Sequence, residues 1–171
     1  MRGVFGLYSI RIKMYNERKM SGGKTTKERF IISAVLKTSL PIIDISDDYE
    51  YSEYIPGENR MHIQGSKEHN EVVFRLAHEM RHKWQWENER ELYFSDYEEL
   101  GETSIENYGK QKAEIDANAF AMIISAKLLD DIPVFKEYPY DEKKQIFDRA
   151  QELTTIYNID IPWKVIYEMY L

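Results

Sequence analysis

The chain of 171 residues contains no cysteine. Disulfides are therefore excluded, and so is any thiolate metal site: a metal here must be held by His, Asp or Glu. A chain without cysteine suits a reducing compartment. Glycine and proline are sparse, at 8 and 5 residues, and no repeat or low-complexity linker divides the chain. No apolar run approaches the roughly 20 residues of a membrane span. The apolar start, Met1 to Ile10, is interrupted, is followed by Arg11 and Lys13, and lacks a small-residue cleavage site, so it does not read as a signal peptide. A soluble, cytoplasmic protein is expected, with no membrane partner. An excess of basic residues is also missing. The 23 Lys and Arg against 30 Asp and Glu leave a net charge of −7, which weighs against a general nucleic-acid binder.

What is present suits a folded globular protein: 43% apolar and 31% charged residues. The length fits one domain spanning 1–171. Residues 1–15 could open the fold as a strand, and a polar loop containing Ser21-Gly22-Gly23-Lys24 follows, without the glycine spacing of a phosphate-binding loop. Helical spacing of Phe30, Ile31, Ala34 and Val35 predicts a helix over 26–37, capped by Thr26. Three short strands are expected at 42–45, 49–55 and 60–64. The last two form a hairpin around Pro56-Gly57-Glu58-Asn59. Val73, Leu76, Ala77 and Met80 make an apolar stripe that predicts a helix over 69–88. Helices are also expected over 112–130, over 141–157 with Asp141 as cap, and from Pro162 to Tyr167. The class is α+β.

Two of the four histidines stand four apart with a glutamate after the first, in His78-Glu79-Met80-Arg81-His82. On a helix, positions i and i+4 share a face, so both imidazoles can reach one metal ion. Glu79 lies about 100° around the helix, where it can border the metal and hold its water. Such a triplet arises by chance in roughly one chain of this composition in a hundred. Its place on a predicted helix adds weight, and so does a second acidic motif, Glu114-Ile115-Asp116-Ala117-Asn118-Ala119-Phe120-Ala121. A catalytic zinc commonly takes three protein ligands and keeps one position open. The third should be a carboxylate, because His62 and His69 lie upstream and cysteine is absent. Glu114 and Asn118 share a helix face, so Glu114 could ligate while Asn118 hydrogen-bonds a ligand histidine. Ala113, Ala117 and Ala121 give that helix a small-residue edge for close packing. Asp116, about 200° from Glu114 around the helix, is the weaker ligand candidate.

The segment Phe74 to His82 resembles the active-site helix of the ImmA/IrrE family of metallopeptidases. Glu114 to Ala121 resembles that family's second signature, as well as the Glu-x-x-Ala-Asp motif of other gluzincins. The resemblance spans about residues 60–130. It implies a small gluzincin-like (zincin) fold: a short β-sheet beside the active-site helix, then a C-terminal helical bundle, with strand 60–64 as the sheet edge that grips an extended peptide. Two features depart from the family pattern. Arg81 replaces the small residue before the second histidine, and Lys127-Leu128-Leu129-Asp130-Asp131 replaces its Leu-Met-Pro ending.

The implied activity is hydrolysis of peptide bonds in a protein substrate, such as a helix-turn-helix transcriptional repressor. Zn²⁺ would be held by His78, His82 and Glu114, and Glu79 would be the general base. A tyrosine is the expected oxyanion donor, and Tyr108, between the motifs, is chosen. The alternative from another class is a protein- or peptide-binding module that keeps the fold without turnover, against which the presence of Glu79 speaks. A zinc hydrolase acting on other bonds is a third reading. His62, His69, Trp84, Trp86, the acidic run 87–102 and the tyrosine-rich strand 49–54 read as ordinary packing and surface.

Overall fold

The computed structural model describes residues 25–166 apart from 100, 134, 137 and 165. The strand expected within 1–15, the loop through residue 24 and the end of the helix expected over 162–167 lie outside these. The architecture is α+β, with a three-stranded sheet and six α-helices among the described residues.

Helix α1 (Thr26–Leu36) buries Ile32 and Leu36 and ends on Lys37 in the left-handed conformation. Its cap position is Thr25, which makes no side-chain capping bond, rather than the expected Thr26. Strands β1 (Ile42–Ser46), β2 (Glu53–Ile55) and β3 (Arg60–Gln64) follow. Alternation of Met61 and Ile63 with polar neighbours on β3 is realised: both are fully buried, while Arg60, His62 and Gln64 are half-buried. β2 and β3 form the expected hairpin. Its turn is a short 3-10 segment, Pro56–Glu58, and the left-handed residue is Asn59 rather than Gly57. Asn tolerates that conformation well.

The strand order corrects one expectation. β3 pairs parallel with β1 and antiparallel with β2, so it is the central strand. Its N–H and C=O groups are taken on both sides, and it offers no edge to a peptide. Among the described residues, the edges are β1 and β2. The β2 strand is also shorter than the expected 49–55, because Tyr49 to Ser52 approach β3 through side-chain bonds: Ser52 Oγ accepts from Gln64 N–H at 2.9 Å, and Glu50 C=O accepts from Gln64 Nε2 at 2.8 Å.

Gly65 joins β3 to the long helix α2 (His69–Asn88). A Cβ at this position would lie 2.9 Å from the Asp47 backbone nitrogen, so glycine is required by close approach. On α2 the stripe Val73, Leu76, Ala77 and Met80 is fully buried. Removing each large member of such a stripe from water contributes about 1.5–3 kcal/mol. Short helices α3 (Arg90–Phe94) and α4 (Ile105–Gly109) punctuate the polar stretch that follows, and Ser104 Oγ caps α4 by accepting from Asn107 N–H. Helix α5 (Lys112–Leu129) packs along α2 and along α6 (Tyr140–Tyr157). Ala113, Ala117 and Ala121 are fully buried, as the small-residue edge predicts. Pro139, not Asp141, precedes α6 at its cap position, and Asp141 stands in the first turn. The chain becomes helical again at Trp163, where Ile166 N–H donates to Pro162 C=O at 3.3 Å. Among the described residues, no helix is long and apolar enough to cross a membrane.

Candidate metal centre

Helix α2 lies between the sheet and α5, so the His78–His82 face is turned toward the start of α5. Close packing permitted by the α5 alanines brings Glu114 within reach. His78 Nε2 lies 3.2 Å from Glu114 Oε2, and His82 Nε2 lies 3.3 Å from Glu114 Oε1. The two Nε2 atoms are 2.9 Å apart. For metal–donor bonds of about 2.0–2.1 Å, a tetrahedral ion separates its donors by about 3.3 Å. His78, His82 and Glu114 thus form a group that could hold a metal ion.

The outer hydrogen bonds agree with this. His78 Nδ1 lies 3.1 Å from Asn118 Oδ1, and His82 Nδ1 lies 2.9 Å from Gln85 Oε1. An amide oxygen only accepts, so both Nδ1 atoms donate and both Nε2 atoms present lone pairs to each other. Two lone pairs at 2.9 Å repel unless a cation lies between them. Without metal that cation is a proton. Burial disfavours it, but Glu114 beside His82 outweighs burial and lifts the imidazole to about 9. Burial would likewise raise Glu114, yet His82 and His78 hold it well below the usual carboxylate range. A bound metal would take the proton's place between the two lone pairs and neutralise the Glu114 charge.

Glu79, also buried, borders the same cleft, and burial raises its pKa above the ordinary carboxylate value despite the two histidines. The cleft measures about 660 Å³ and runs between β2 and the centre. Tyr108 stands in its wall. A second tyrosine that sequence reasoning missed, Tyr97, stands beside it: its hydroxyl is 2.7 Å from both the Tyr108 hydroxyl and Glu114 Oε1. Burial and Glu114 raise both phenols, so both remain protonated donors at neutral pH. Tyr97 sits in a loop without periodicity, and no local signal in the sequence singles it out.

Two expectations of ordinary packing, for Trp86 and the tyrosine-rich strand, need correction. Trp86 lines the cleft and meets Phe94 edge-on at 5.5 Å. The acidic run 87–102 exposes its carboxylates, as expected of a solvated surface, while Phe94 and Tyr97 within it line the cleft. Tyr51 and Tyr54 line the opposite wall. Trp84 instead stacks on the Arg81 guanidinium at 4.0 Å. His62 stacks on Tyr49 and bonds Glu53, and His69 approaches Glu28 at 3.5 Å; both lie outside the metal group. Asp116 is buried away from the metal group, where it receives Arg81 and Arg149. No known protein family matches this chain, and neither a curated protein nor a solved structure shows significant similarity to it.

Proposed function

We propose that the chain is a zinc-dependent metallopeptidase, an endopeptidase acting on a protein substrate. The meeting of His78, His82 and Glu114 beside Glu79, at a cleft bordered by a strand edge, carries this reading. Two neutral imidazoles and one carboxylate suit a catalytic zinc that keeps a position open. Zinc, when bound, supplies Lewis-acid chemistry, acidifying water and polarising a carbonyl.

The remaining roles belong to the chain. Glu79 takes the proton of the attacking water and returns it to the leaving amine, a task suited by its raised pKa. Tyr97 donates its one proton to Glu114 and accepts from Tyr108, whose O–H would turn from Tyr97 to the developing oxyanion. The outer edge of β2, not β3, can accept an extended peptide by β-addition, since among the described residues β2 pairs on one side only, and it lines the cleft. The resemblance to the ImmA/IrrE family supports a regulatory protein, such as a helix-turn-helix repressor, as substrate. Retention of Glu79 favours turnover over a pure binding module.

The test is metal content with one substitution. The purified chain is expected to hold one zinc, and Glu79→Gln is expected to abolish peptide cleavage with zinc retained. A chain that takes up no zinc on addition, or a Glu79→Gln variant of unchanged activity, overturns the reading.

A further inference from the structure

Asp116 is a buried carboxylate with saturated oxygens. Oδ1 accepts from Arg149 Nε at 2.7 Å and Arg81 Nη2 at 3.1 Å; Oδ2 accepts from Arg81 Nε at 2.6 Å and Gln85 Nε2 at 2.7 Å. Arg81 is itself held by the Tyr157 hydroxyl at 2.6 Å and by its stack on Trp84. Gln85 Nε2 also donates to Ala113 C=O at 3.0 Å. These two acceptors determine which way the Gln85 amide points. A flipped amide would set its oxygen against a carboxylate and a carbonyl, opposing lone pairs in a buried site. Gln85 Oε1 therefore faces His82 and accepts from its Nδ1–H at 2.9 Å.

We propose that Gln85 is a positioning residue for His82, oriented by an Asp116 that Arg81 and Arg149 hold in place. The brace joins α2, α5 and α6 to one metal ligand. It holds His82 in the tautomer whose Nε2 lone pair points at the centre. It also gives Arg81 a purpose: the guanidinium fills the space a small residue would leave and fixes the carboxylate that orients Gln85. This inference rests on the zinc reading above. Outer partners of metal-binding histidines commonly control affinity by 10–100-fold.

Zinc dissociation constants of the full chain, measured by competition with a chromogenic chelator, test it. Gln85→Leu keeps similar bulk but cannot accept, and is expected to weaken zinc binding by roughly 10–100-fold. In the unaltered zinc-loaded chain, ¹⁵N-edited NMR is expected to show His82 protonated at Nδ1 and coordinated through Nε2. Equal affinity of a folded Gln85→Leu chain overturns the brace, as does a His82 coordinated through Nδ1; the NMR measurement decides even if the variant fails to fold. An unaltered chain that binds no zinc overturns instead the metal reading on which the brace rests.

Discussion

At the level of single residues, the chemistry turns on the space between two Nε2 atoms 2.9 Å apart. In the metal-free chain a proton on His82 occupies it, and the folded-state value of about 9 exceeds the ordinary value of 6.5. A raised folded value means the proton stabilises the fold. The contribution is fully present below about pH 6.5 and is lost as pH rises through about 9. Metal binding requires that proton to leave. Zinc uptake at pH 7 is therefore expected to release about one proton from this site, falling to about half near pH 9. Calorimetric titration in buffers of differing ionisation enthalpy reads the number directly. No release at pH 7 would contradict the assignment of a protonated His82.

The candidate metal group was legible from sequence because each half is local. His78 and His82 share a face through the helical period, and so do Glu114 and Asn118. Gln85 and Asp116 escaped because their partnership spans 31 residues and depends on how α2 lies against α5. Tyr97 escaped because it approaches Glu114 from a loop.

At the level of elements, periodicity carried α2, α5 and β3 well. The stripe on α2 and the alternation on β3 state which side is buried, and the structure buries those sides. The order of strands was not legible. It depends on the parallel pairing of β1 with β3, and no property of β3 alone reveals that a neighbour arrives on each side. The helix pair α2–α5 carries its own prediction. Ala117 is fully buried, and with Ala113 and Ala121 it gives α5 an edge narrow enough to bring Glu114 up to the histidines. Ala117→Leu forces extra methylenes into that packing and is expected to destabilise the fold by about 1–3 kcal/mol. Urea unfolding would show a lower midpoint at unchanged slope. Zinc affinity should fall as well, since the ligands sit on both helices; unchanged affinity would show that α5 holds Glu114 in reach without the alanine edge.

For the whole molecule, the centre lies where three layers of the chain converge. α2 brings two candidate ligands, α5 brings one, and the arginines of α2 and α6 meet on Asp116 behind them. The candidate ligands of α2 and α5 belong to segments more than thirty residues apart, and unfolding scatters them. An ion bound by the folded chain and not by the unfolded one stabilises the fold by RT ln(1 + [L]/Kd), about 4 kcal/mol when free metal is a thousandfold above Kd. For a chain of this length each kcal/mol moves the unfolding midpoint by about 2–4 °C. Removing metal with a chelator is therefore expected to lower the midpoint by roughly 10 °C, and readdition of zinc should restore it. The shift should vanish in Glu114→Ala, which keeps both histidines but removes the ligand that spans the two helices. Differential scanning calorimetry with and without chelator measures both effects. A midpoint indifferent to metal in the unaltered chain would show that α2 and α5 are not joined through a bound ion.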